Sequence, residues 1–290
     1  MYDVYTGILR MTRRFRTDGT SHELVYGFGE DYGDYLGQYD LPAIAGDGGA
    51  FQKIKNLLFW LTAHTVHKGD YSNEAGTSDS AGWLSYAFDD ASHGINCAML
   101  ATILTECLLA LRIPARAVWL LPFSPYDGDN HVVTEAYAAD LARWVMCDPT
   151  YGLYVQDEQG TPLHLFEIRE RLAKRQKLTF NPEANYNGTE FDARDTETYY
   201  AKDFAHFRVQ QFQGRNAHLR EDSPDLYLAP EGFDPYAGIF ANLEYREACY
   251  GEGEWLTRQR EWLARQDAPR YLRVQDFYRI PPDVPPCAGL

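Results

Sequence analysis

Basic residues are scarce in this chain. Its 290 residues hold 27 Lys and Arg against 42 Asp and Glu, a formal net charge of −15 with a pI near 4.9. A surface so acidic does not gather phosphates, which argues against nucleic acid as a partner. It argues equally against docking on an anionic membrane. No apolar run approaches a bilayer span, and the start, Met1-Tyr2-Asp3-Val4-Tyr5, lacks the basic-then-apolar profile of a signal peptide. The expectation is a soluble, cytoplasmic protein with no membrane span. Cysteine is sparse and widely spaced: Cys97, Cys107, Cys147, Cys249 and Cys287 form no Cys-x-x-Cys. That excludes a zinc ribbon or a thioredoxin-like pair and fits reduced thiols, one of them free to act as a nucleophile. Also missing are a G-x-S-x-G elbow, an H-E-x-x-H helix, a Walker loop and any internal repeat.

What is present suffices for a packed core, since 45% of residues are hydrophobic and 14% aromatic. Residues 1–50 are rich in Tyr, Gly and Asp. The run Tyr26-Gly27-Phe28-Gly29-Glu30-Asp31-Tyr32-Gly33 has acidic insertions that repel phosphate, so it reads as an irregular, aromatic-packed segment. From Phe51 to His67 the apolar spacing of Ile54, Leu57, Leu58, Leu61 and Thr65 predicts a helix. His64 and His67, three apart on it, lack a third ligand and read as surface or capping residues, not a metal site. Residues 68–82 read as a loop and Trp83–Asp89 as a short helix.

Leu100, Ile103, Leu104, Cys107, Leu108 and Leu111 form one apolar stripe on a helix starting near Asn96 and ending before Pro114. Strands are predicted over Ala115–Leu121, His131–Ala138 and Arg143–Asp148, a basic amphipathic helix over Leu165–Leu178, and a helix over Gly253–Gln266. Residues 181–225 show few patterns, Tyr271–Ile280 reads as a strand, Pro281–Pro286 closes the chain, and the sequon Asn187-Gly188-Thr189 reads as chance. The organisation expected is an N-terminal elaboration (1–50), a core (51–180) and a C-terminal elaboration (181–290) packed on it.

The chemistry centres on Cys97. It falls in the first turn of the striped helix, where unpaired N–H groups and the helix dipole favour a thiolate. Cys107, on the stripe, reads as an inert small hydrophobe. A turn centred between Ala139 and Asp140 would set His131 directly opposite Asp148, close enough for the carboxylate to fix the imidazole. Cys147 then points to the other face. His93 lacks a carboxylate partner and reads as a rim residue.

These residues resemble the transglutaminase-like superfamily, the branch of papain-fold thiol enzymes with Cys, His and Asp in that chain order. The matching stretches are Gly94-Ile95-Asn96-Cys97-Ala98-Met99-Leu100 leading into Leu111-Arg112-Ile113-Pro114-Ala115-Arg116, then Asn130-His131-Val132-Val133, then Trp144-Val145-Met146-Cys147-Asp148-Pro149-Thr150. The resemblance covers about residues 51–170. It implies an α+β, papain-like fold, with the Cys at the N-terminus of a central helix packed on an antiparallel sheet that carries His and Asp. It implies Cys97 as nucleophile, His131 as general base and acid, and Asp148 as the orienting carboxylate. Separately, no metal and no cofactor are expected, the calcium sites of animal transglutaminases having no EF-hand-like acidic run here. The sequence departs from particular branches: Ala98 stands where animal transglutaminases have Trp after the Cys, and the zinc Cys-x-x-C of peptide N-glycanases and the Arg-Gly-Gly-Cys of arylamine acetyltransferases are absent.

The reaction expected is thiol-dependent acyl transfer, foremost hydrolysis of a peptide or amide. The alternatives are transfer of the acyl group to an amine and a non-catalytic binding module on the same fold. The backbone N–H of Cys97 would be one oxyanion donor; Trp83, Tyr71, Asn73 and Gln52 remain unranked for the second. Most of the acidity lies outside residues 91–180, where it favours a basic or amine-bearing peptide, protein or amide substrate.

Overall fold

The structure, a computed structural model, describes residues 1–18 and 21–282. Cys287 and the end of the Pro281–Pro286 segment lie outside the described residues. Residues 1–50, expected to be irregular, hold α1 (Tyr2–Met11), β1 (Val25–Tyr26), α2 (Gly33–Tyr39) and α3 (Leu41–Ala45). Then come α4 (Ala50–His64), β2 (Val66–His67), α5 (Ser80–Asp89), β3 (Gly94–Ile95) and α6 (Cys97–Ala110). The strands β4 (Ala115–Leu121), β5 (His131–Ala138) and β6 (Arg143–Asp148) fall on the predicted bounds, followed by β7 (Leu153–Gln156), α7 (Leu165–Lys174) and β8 (Thr179–Phe180). The remainder forms α8 (Ala193–Asp203), β9 (His206–Gln210), β10 (Phe212–Gln213), β11 (Asp225–Leu228), α9 (Pro235–Tyr250), α10 (Glu254–Ala264), β12 (Arg270–Tyr271) and α11 (Val274–Phe277).

One mixed sheet organises the molecule, in the order β12-β11-β9-β4-β5-β6-β7-β8. All its pairs are antiparallel except β11 with β12. On one face Ala115, Ala136, Ala138, Val145 and Cys147 pack against Ile54, Leu57 and Leu61 of α4 and Leu100, Ile103 and Leu104 of α6. On the other, Val118, Leu120, Val133 and Met146 pack with Leu9 of α1, Ile168 and Leu172 of α7 and Tyr200 of α8. The period of two along each strand separates the two cores. This is an α+β architecture compatible with a transglutaminase-like core.

Several expectations need correction. α6 is not striped: Met99 through Leu109 are all buried, Glu106 included, because helices cover the side turned from the sheet. α4 ends at His64, since Thr65 is extended (φ −126°, ψ 156°), so His64 and His67 do not share a helix. Tyr271–Ile280 is not a strand. Val274, Phe277 and Tyr278 are spaced three and four apart, and they turn as α11 with Phe277 fully buried. The polar stretch 181–225 contributes β9 and β11 to the sheet through Phe207, Val209, Leu226 and Leu228, alternating inward residues diluted by polar neighbours.

The hairpin register also differs. Ala138 pairs with Arg143 and Thr134 with Cys147, so the turn centres between Asp140 and Leu141. The four-residue connection is a 3-10 turn closed by Ala142 in the left-handed region (φ 52°). Asp148 is therefore level with Val133 rather than His131. The slip is two residues, not one, so both side chains keep the same face.

Candidate functional site

Asn96 starts the site. Its extended backbone (φ −85°, ψ 172°) stops β3, and its side chain caps α6 by accepting from the Met99 N–H at 3.0 Å. That cap makes Cys97 the first helical residue, half-buried, with its N–H free of the helix ladder. His131, the first residue of β5, and Asp148, the last of β6, are 2% and 0% exposed. The diagonal offset suits them: His131 Nε2 donates to Asp148 Oδ2 at 2.6 Å. The same oxygen accepts from the Tyr200 hydroxyl at 2.6 Å, and Oδ1 accepts from the Thr150 N–H at 3.0 Å. With Nε2 tied to Asp148, Nδ1 is the imidazole nitrogen left for the sulfur.

Electrostatics separates the thiols. Burial alone would raise the Cys97 pKa, but the imidazoles of His131 and His67 outweigh it and bring it down to about 6. Burial likewise opposes a charge on His131, yet the Asp148 carboxylate and the Cys97 sulfur raise its pKa well above the usual value. The two shifts favour a thiolate–imidazolium pair. Cys107 and Cys147 are buried in the core under α4 and α6, and desolvation pushes both thiols up. Neither forms a disulfide among the described residues.

A cleft of about 490 Å³ opens over Cys97 and His131, walled by His67, Tyr151, Tyr186, Phe191 and Tyr199. Three of these five come from residues 181–290 and none from residues 1–50. A second cavity of about 700 Å³ lies between the β4–β5 connection and α9 and α10. Asp129 and Asn130 line both. Asp203, the last residue of α8, is fully buried, and among the described residues neither of its carboxyl oxygens is hydrogen-bonded; Lys202 Nζ stands 3.5 Å from Oδ1. Burial raises its pKa to about 8.

Of the side chains singled out from sequence, the structure brings Cys97, His131 and Asp148 together. Gln52, Tyr71, Asn73 and Trp83 do not line the cleft. Gln52 Nε2 donates to Asn56 at 2.7 Å and the Trp83 indole to the Thr77 carbonyl at 2.8 Å, so their donors are engaged elsewhere. His93 stacks on Tyr86 with centroids 4.0 Å apart and is also outside it. His67 was misread. β2 pairs with β3, His67 level with Ile95, which carries the imidazole to the mouth of α6. Tyr200 was missed, because a tyrosine in a polar helix carries no mark of a distant carboxylate.

Among the described residues no group of three or more His, Cys, Asp or Glu is arranged to hold a metal, and no helix is long and apolar enough to cross a membrane. Residues 41–149 match the family model of the transglutaminase-like superfamily, in agreement with the resemblance read from the motifs. The match spans α3 through β6 and includes Cys97, His131 and Asp148. Neither the curated proteins nor the solved structures yielded a match. Similarity of this segment to the superfamily suggests thiol-dependent acyl transfer or hydrolysis in general terms.

Proposed function

We propose that this chain, with its transglutaminase-like core over residues 41–149, is a cysteine hydrolase of peptide or amide bonds that works through Cys97, His131 and Asp148. The observation that carries the reading is a thiol at a helix mouth beside an imidazole whose far nitrogen is held 2.6 Å from a buried carboxylate. The Cys97 thiolate adds to the substrate carbonyl carbon, and the C=O π pair moves onto oxygen. The Cys97 N–H donates to that oxyanion, worth about 2.7–4 kcal/mol for one such donor. Collapse breaks the C–N bond, and the His131 imidazolium gives its proton to the departing amine. His131 then takes a proton from water as the water attacks the thioester, and collapse releases the acid and the thiolate. Asp148 holds the ring and balances the imidazolium throughout, itself fixed by Tyr200 and Thr150.

Transfer to an amine is a second reading. It draws on the second cavity, which adjoins the cleft through Asp129 and Asn130 and offers a place for an acceptor chain.

Iodoacetamide labelling near neutral pH with mass mapping tests the chemistry. Cys97 is expected to be modified first, and its labelling to fall in His131→Ala. Equal, slow labelling of all five cysteines would remove the enzyme reading and leave a binding module. Glutamine-containing peptides with and without an amine probe then separate hydrolysis from transfer.

A further inference from the structure

We propose that His67 completes the oxyanion site of this enzyme, its Nε2–H being the second donor beside the Cys97 N–H. The proposal rests on the Cys97 reading above and adds a catalytic residue to it.

His67 arrives from outside the main sheet. The parallel β2–β3 pair sets it level with Ile95, and the Lys68 N–H donates to the Ile95 carbonyl at 2.9 Å. The imidazole is thus carried on the strand beside the one that runs into α6, whereas His131 comes from β5. Both rings line one cleft with Cys97. The His67 backbone is clamped on both sides by one carboxamide: its N–H donates to Asn187 Oδ1 at 2.8 Å, and its carbonyl accepts from Asn187 Nδ2 at 3.0 Å. Asn187 is in the left-handed region (φ 51°), as its turn requires. Two residues are therefore fixed so as to place one ring.

The ring's two nitrogens have different surroundings. Nδ1 lies 3.1 Å from the Tyr186 hydroxyl. Accepting from that hydroxyl leaves the proton on Nε2. Among the described residues Nε2 is buried without a hydrogen-bond partner, while the ring comes near enough to the Cys97 sulfur to lower that thiol. A buried N–H without a partner is a costly thing to keep, and the cleft at Cys97 is where a partner arrives. A donor poised at the attacking sulfur lies next to the carbonyl oxygen of the carbon being attacked. When the C=O pair moves onto oxygen, Nε2–H donates to it without giving up its proton. His131 remains the group that transfers protons. The same proximity accounts for the share His67 has in lowering the Cys97 thiol.

Two reagents separate this role from simple tuning of the thiolate. Alkylation by iodoacetamide forms no oxyanion, whereas acetylation of Cys97 by p-nitrophenyl acetate passes through one. Both rates are measured on the full chain at one pH above the thiol pKa. For His67→Ala we expect acetylation to fall about 10²-fold or more beyond any fall in alkylation. His67→Gln, which keeps an N–H at similar reach, is expected to recover most of it and guards against a folding defect in the alanine variant. Proportional loss of both rates, or a glutamine variant no better than alanine, would overturn the role of His67. Failure of the wild-type chain to form acetyl-Cys97 at all would instead overturn the thiol-enzyme reading.

Discussion

Strand β5 carries two buried ionic clusters, and they have opposite characters. At Glu135 the carboxylate pairs with Arg116 across to β4, Nη2 to Oε2 at 2.7 Å, both side chains wholly buried. The guanidinium also donates to the Tyr26 hydroxyl and the Phe277 carbonyl, and it lies over the rings of Trp144 and Phe277. Glu135 Oε1 takes the Leu165 N–H and the Tyr278 hydroxyl. Every strong group there is answered from inside. At His131 the carboxylate is answered just as fully, but the imidazole keeps one nitrogen turned toward the cleft. Burial and charge do not make a site; an unspent hydrogen-bonding capacity next to open space does.

The comparison can be broken in several ways. The largest expected effect is Asp148→Asn, which removes the charge partner and leaves the His131 tautomer unset. Acetylation of Cys97 by p-nitrophenyl acetate should slow by about 10³–10⁴-fold, by analogy with the same change in serine-protease triads. A loss under tenfold would make Asp148 structural, like Glu135. Next comes Arg116→Ala, which strands a buried carboxylate. Urea unfolding should show about 3–5 kcal/mol lost, while replacing Arg116 and Glu135 together by apolar residues of similar volume should cost far less. If the single change were harmless, the two clusters would not differ as described.

Much of this was legible in sequence, and the reasons are local. The bounds of β4, β5 and β6 follow from apolar and aromatic runs cut by Pro114, Pro122 and Pro149 and by the short Ala139-Asp140-Leu141-Ala142 connection. The position of Cys97 follows from Asn96, a cap residue before an apolar run. Side-chain parity survived an error in register because a turn miscentred by one residue shifts the pairing by two. His67, Tyr186 and Tyr200 were not legible. They act through contacts with residues far along the chain, and no periodicity encodes such a contact.

Two further effects sharpen the contrast. Tyr200→Phe deletes one of three donors to Asp148, and thermal or urea unfolding should register about 1.5–3 kcal/mol, the usual worth of a hydrogen bond to a charged group. An equal loss from Tyr278→Phe, whose hydroxyl meets Glu135, would show that the two carboxylates are supported alike. A pH-dependent effect concerns Asp203, whose folded pKa of about 8 lies above its ordinary value of 3.8. The folded state then holds a proton that the unfolded state has released, so stability falls as pH rises between those values. The slope reaches at most about 1.4 kcal/mol per pH unit. Asp203→Asn should remove that decline, giving a melting temperature above wild type at pH 8 and close to it below pH 4. A variant no more stable than wild type at pH 8 would place the proton elsewhere.

Tyr200 and four of the five cleft-wall residues, all but His67, lie downstream of everything the family model matches. During synthesis the thiol and its histidine leave the ribosome well before α8 does. Until residues 186–200 have all emerged, the cleft is short of Tyr186, Phe191 or Tyr199, and Asp148 gains its last donor only with Tyr200. A chain still being made therefore carries a thiol without a finished site around it. The order of residues along the gene acts as a timer, and a message truncated before α8 would yield a chain that cannot complete the site.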